Sequence, residues 1–220
     1  RPLTIEEIKV TVELFAQAAN NTSNKAGFDG VEIHGANGHL VDQFIQDMSN
    51  NRTDQYGVSM ENRSRYALEI VDAVATAIGE ERTAIRLSPW ATGQGNNSYG
   101  MKNPYQSHRI CIYASTYPKL AYLHMIQTRE LDNPIQSNEV LYDIWSPQPL
   151  IVADGFTREK AFKVVEREGV LVAFGRQFIS NPDLPLRLKN NLPLSAYDRA
   201  TFYGGDESGK GYTDYAFALQ

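Results

Sequence analysis

The segment Val31-Glu32-Ile33-His34-Gly35-Ala36-Asn37-Gly38-His39 brings an imidazole, a carboxamide and a second imidazole close together in the chain. Val31 to His34 reads as a strand with a polar end, so His34 and Asn37 are two donors that converge just past it. Two convergent donors stabilise negative charge developing on a substrate oxygen, as an oxyanion hole does. Enolate chemistry needs a proton carrier as well, and an imidazole both donates and accepts protons near neutrality, which gives His39 that role. Gly35 and Gly38 leave the backbone open to a ligand. The plainer alternatives are that His34 satisfies a buried polar strand end and that His39 is a surface residue after a strand.

Two arginines suggest an anion site. A guanidinium fork suits phosphate or carboxylate, and Gly175 beside Arg176 permits close approach; either Arg86 or Arg176 could instead serve a structural ion pair. Trp90, just after Pro89, and Tyr203 are aromatic residues of a kind that more often packs in a core or rim than acts in catalysis. His124, inside an apolar strand, and His108, in a helix-like stretch, read as structural. No metal site is expected.

These side chains need a scaffold, and the chain reads as alternating helices and strands. Thr4-Ile5-Glu6-Glu7 has capping-box spacing, and Ile8, Val12, Phe15, Ala16 and Ala19 follow at helical intervals until Asn20 to Asn24, which should end the helix. Ser59 caps a further helix whose buried stripe runs through Tyr66, Ile70, Val71, Val74 and Ile78 to Gly79. Strands follow at Thr83 to Leu87, Leu120 to Ile126, Leu150 to Ala153 and Val170 to Phe174, with a helix from Thr157 to Glu168. Strands alternating with helices imply an α/β parallel sheet. Five strands are too few for a closed eight-stranded barrel, which leaves an open sheet or a barrel completed by another chain. The organisation expected is one domain over residues 1–220, with a C-terminal tail from 197.

The 220 residues are 42% hydrophobic, enough for a core, and a net charge of -5 leaves no basic excess for nucleic acid. No apolar run approaches the roughly 18 residues of a membrane span. The single cysteine excludes an internal disulfide, and a cytoplasmic setting is the expectation.

Ala26 to Gly38, Asn51-Arg52-Thr53-Asp54-Gln55-Tyr56-Gly57, Glu61-Asn62-Arg63, Ile85-Arg86-Leu87-Ser88-Pro89, Ala121-Tyr122-Leu123-His124, Ala173 to Leu184 and Tyr197-Asp198-Arg199 together resemble the Old Yellow Enzyme family. These are FMN-dependent ene-reductases on a (β/α)8 barrel, and the resemblance runs over nearly the whole chain. It implies that the five strands are the fourth to eighth of the barrel, a partial TIM barrel lacking the first three, with a homodimer or another chain to complete it. It also implies that His34 and Asn37 hold a carbonyl or phenolate oxygen, that Arg86 meets the flavin ring, and that Gly155, Gly175 and Arg176 meet the FMN phosphate, with NAD(P)H as reductant if FMN binds. It places Tyr203 on a substrate-side tyrosine, with Trp90 able to line the same mouth.

Three positions depart from the family pattern: Val58 follows Gly57 where a second glycine is usual, and His39 and Asp154 bear on the chemistry. His39 stands where the reductases usually carry a proton-donating tyrosine, and a phenol, with an ordinary pKa of about 10, protonates only a strongly basic carbanion. Asp154 stands where a glycine usually helps hold the phosphate. Like charges at about 5 Å repel by several tenths of a kcal/mol in water and several-fold more in a protein site, and Arg176 could pair with Asp154 instead. The expected activity is therefore non-redox acid/base isomerisation or cyclisation of an enone or phenolic small molecule, in the manner of secondary metabolism. FMN-dependent ene reduction is the second reading and a non-catalytic remnant the third.

Overall fold

Thr4 caps the first helix as its spacing demands: its side chain accepts from Glu7 N–H at 3.2 Å while the Glu7 carboxylate accepts from Thr4 N–H at 2.8 Å, a reciprocal capping box. In this computed structural model, which describes residues 1–90, 109–110, 113, 117–127, 137–203 and 208–218, that helix is α1 (Ile5–Asn20). The asparagine-rich segment does not end it. Asn21–Lys25 continues as a π-helical turn, and the chain breaks only where Gly27 takes φ 81°.

β1 (Val31–Gly35) leads through a turn at Asn37 and Gly38 into a six-residue helix, α2 (Leu40–Ile45), too short to show a period in the sequence. α3 (Met60–Ile78) begins at Ser59, whose hydroxyl accepts from Asn62 N–H at 3.2 Å, and stops at Gly79 with φ 95°. Then come β2 (Thr83–Leu87), β3 (Tyr122–Ile126), α4 (Glu139–Trp145), β4 (Leu150–Ala153), α5 (Arg158–Val164), β5 (Val170–Ala173), α6 (Arg176–Ser180) and α7 (Leu184–Asn190). β3 starts two residues later than the apolar run, and α5 ends before Glu168. His108 lies outside the described residues.

The strands among the described residues are all parallel, and their order in space, β1-β2-β3-β4-β5, is their order in sequence. A doubly wound sheet reverses direction at a switch point, whereas an arc of a (β/α) barrel does not. The fold is the second kind. Side chains alternate across it. Ile33, Ile85, Leu87, Leu123, Met125 and Val152 face the helices and join Tyr66, Ile70 and Val74 in the buried core. The opposite face carries a row fixed by register: His34 beside Arg86, Arg86 beside His124, His124 beside Ile151.

The loop before α3 is held by its own charges. Arg52 pairs with Asp54 at 2.5 Å and donates to Leu3 O at 2.7 Å, and Arg65 donates to Gln55 O at 2.9 Å. Val58, following Gly57, stands at φ 70°. At the C-terminal end, Arg187 donates to Ala216 O and Ala218 N–H to Asp183, which ties residues 208–218 to α7. No described helix is long and apolar enough to cross a membrane.

Candidate active site

Parallel strands deliver their C-terminal ends to one rim, and the predicted His34, Asn37 and His39 stand there at β1. His34 is half-buried on the face opposite the core. His39 is exposed, and the two rings lie 4.3 Å apart between centroids with a 42° tilt. Although His39 occupies the N-cap of α2, its side chain makes no capping bond. Burial pushes the His34 imidazole below its ordinary pKa, and the charges of His39 and Arg86 act the same way. His34 is thereby kept neutral near pH 7, a form that donates one N–H without carrying a charge.

Asn37 holds φ 57°, a left-handed conformation that asparagine tolerates better than most residues. Its backbone N–H donates to the Ser88 hydroxyl at 2.8 Å, while its side-chain Oδ1 is buried with no protein partner. A buried polar atom without a partner at a strand end marks a position where a ligand can supply one. The carboxamide can present either its oxygen or its NH2 there by rotating about its last bond.

The turn is locked from below by a residue that the sequence reading passed over. Asp42, 2% exposed, accepts from Gly38 N–H at 2.8 Å and from the Gln46 amide at 3.1 Å. Burial pushes its carboxyl up, while the bonds from Gly38, Gln46 and Ser88 oppose that shift. Ser88 thus joins Asn37 to Asp42. The available signal was positional: an acid at the third residue of a helix reaches back over the cap.

Arg86 lies beside His34 in register, and its Nε is buried without a partner. Beyond it, His124 Nδ1 and Glu32 Oε2 are 2.9 Å apart, while His124 Nε2 is buried without a protein partner. Burial pushes the Glu32 carboxyl up, but the hydrogen bond and charge of His124, with Tyr122 and Arg86, outweigh it and hold the group below the usual range.

The remaining predicted residues are placed elsewhere. Trp90 donates its indole N–H to Asn138 at 2.8 Å, an anchoring contact with a buried partner. Tyr203 is 87% exposed, and its ring contact is with Phe202. Gly155, Gly175 and Arg176 gather past β4 and β5, three to four strands from His34, or roughly 15–19 Å along the sheet. There Arg176 is paired with Asp154. A cavity of about 280 Å³ between Phe156, Phe174, Leu188 and Leu192 includes none of His34, Asn37 or His39. Among the described residues no group of His, Cys, Asp and Glu is placed to hold a metal ion.

The residues fit FMN at one end only. An unpartnered Arg86 Nε suits a carbonyl of a flavin ring, whereas the Arg176 guanidinium, already engaged by a carboxylate, does not suit a phosphate.

The sequence profile of the NADH:flavin oxidoreductase / NADH oxidase family matches residues 1–195. Chanoclavine-I aldehyde reductase fgaOx3 of Penicillium roqueforti is 43% identical over 229 residues, covering 100% of this chain and 61% of the relative. "Probable inactive dehydrogenase easA" of Claviceps purpurea is 42% identical over 234 residues, with coverage of 100% and 61%. Among solved structures, Old Yellow Enzyme from Pichia sp. AKU4542 superposes with a TM-score of 0.86 at 37% identity, over 99% of this chain and 57% of that one. The chain therefore spans about three fifths of the length of the relatives it matches.

Proposed function

The chain belongs to the NADH:flavin oxidoreductase / NADH oxidase family, and from that premise we propose that it is an acid/base enzyme acting on an enone or phenolic small molecule, in an isomerisation or cyclisation without net redox. The observation that carries this reading is the contact of the His34 and His39 rings at 4.3 Å beside Asn37, whose Oδ1 is buried without a protein partner. It sets an oxygen-holding pair next to a proton carrier. His34, neutral, and Asn37 donate to the substrate carbonyl oxygen. The unprotonated His39 imidazole takes a proton from an acidified carbon, the C–H electron pair becomes the C=C of an enolate, and the oxygen takes up the charge. The protonated His39 then returns the proton to a different carbon and the C=O reforms. Atoms and electrons balance within the substrate. That relatives are called probable inactive dehydrogenases is consistent with a member that has left redox chemistry.

FMN-dependent, NAD(P)H-driven reduction of α,β-unsaturated carbonyls is the second reading. It is supported by the Arg86 Nε that lacks a partner and by a relative called a reductase. Against it stands the phosphate end, where Arg176 is paired with Asp154. As partner we propose a second copy of the chain or another chain pairing along β1 and β5, the sheet edges among the described residues. A cytoplasmic location belongs to the same reading.

The test is turnover of a β,γ-unsaturated ketone by the native chain and by His39→Phe. Isomerisation that needs neither FMN nor NAD(P)H and disappears in the variant supports the proposal. A retained flavin absorption band with NAD(P)H oxidation by simple enones, unchanged in His39→Phe, selects the second reading.

A further inference from the structure

Past β4 two consecutive residues, Asp154 and Gly155, stand at φ 74° and 73°. Glycine enters this left-handed region freely, and aspartate does so mainly when its short side chain hydrogen-bonds locally. That is the case here. Asp154 Oδ1 accepts from Gly155 N–H at 3.0 Å and also from a terminal nitrogen of Arg176. A backbone N–H and a guanidinium aimed at one point are the components of an anion site. Two further features keep that site open and in place. A Cβ on Gly175 would meet nothing within 4 Å, and the Arg176 Cζ lies 5.8 Å from the centre of the Tyr197 ring, which holds the guanidinium from another side.

We propose that Asp154 is a built-in anion: its carboxylate fills a cradle formed by Gly155 N–H and Arg176, so that the chain does not take a phosphate there, and removing the carboxylate converts the cradle into a phosphate-binding site. A phosphate at this point would have to displace a partner tethered one residue from the donor, and would then face its negative charge. A free dianion competes poorly with a tethered carboxylate. The inference concerns the far end of the same rim, past β4 and β5, and its test does not use His34, Asn37 or His39.

The experiment follows inorganic phosphate, added at constant ionic strength, through the NMR signals of the Arg176 side-chain N–H and the Gly155 amide. It compares the native chain with Asp154→Gly and Asp154→Asn. Both replacements suit a positive φ, so at least one is expected to retain the fold, as judged by the dispersion of the remaining signals. In the native chain the two signals should stay fixed. In the variants they should shift together and saturate, with an apparent dissociation constant at least about tenfold lower. Saturation of the native chain at the same concentration would overturn the proposal, because Asp154 would not be blocking the site. So would folded variants whose Arg176 and Gly155 signals do not move, or in which only other residues respond; the former shows no cradle and the latter an adventitious ion only.

Discussion

At the level of single residues the account rests on His34 and its neighbour. Since burial and the His39 charge lower the His34 pKa, its NMR titration midpoint should fall below the ordinary histidine value of about 6.5. Replacing His39 with Phe should move that midpoint upward, because a positive neighbour is removed; a midpoint that stays or falls would separate the two rings electrostatically. The sign carries into stability. A base whose folded pKa is depressed contributes stability that is present above the unfolded value and is lost as pH falls through the folded one. Acidification from pH 7 toward 5 should therefore destabilise the native chain more than His34→Gln, as read by denaturant midpoints. In catalysis, Asn37→Ala removes one oxygen-holding donor and should lower the isomerisation rate by about 10²–10³-fold, with the fold intact by circular dichroism.

At the level of elements, the turns that carry these residues have separable supports. Asp42 and Ser88 hold the turn between β1 and α2. Asp42→Ala leaves the Gly38 N–H and Gln46 amide without their acceptor and should cost about 1–3 kcal/mol in denaturant unfolding. A cost near zero would show that the turn stands without it. Val58 is the converse case. A β-branched residue at φ 70° is strained, and it is exposed, so Val58→Gly should raise stability by about 1 kcal/mol. Gly57 admits no such change, since a Cβ there would meet Arg52 O at 2.1 Å.

Elements also show where sequence reading reaches its limit. Thr4 and Ser59 announce their helices because capping is a local bond, and the apolar runs announce the later strands because parallel strands covered on both faces, as β2, β3 and β4 are, read as short continuous apolar runs rather than as alternation. The π-helical turn at Asn21–Lys25 and the six-residue α2 escape notice, one because asparagines break helices more often than they extend them, the other because two turns show no period. The Glu32–His124 pair spans 92 positions and has no local trace. Asp154–Arg176 was legible only as a possibility, raised by one carboxylate in an unusual place.

For the whole molecule, the sequential strand order makes the sheet an arc with its chemistry along one rim, the His34 group at the β1 side and the Asp154–Arg176 pair at the β4 and β5 side. Both β1 and β5 are edges among the described residues, and Leu171 on β5 is 57% exposed. Edges of this kind pair readily, so size-exclusion chromatography with light scattering should return a mass of at least twice 24.7 kDa; a monodisperse monomer would remove the partner from the account. The central claim is proton movement without a redox cofactor. The measurement that meets it most directly is proton NMR of a β,γ-unsaturated ketone incubated with the native chain in D2O, with no FMN and no NAD(P)H. Conversion to the conjugated ketone with deuterium entering the carbon skeleton, abolished by His39→Phe, is the expected result. An untouched β,γ-unsaturated ketone, together with reduction of a conjugated enone once FMN and NAD(P)H are supplied, would contradict it.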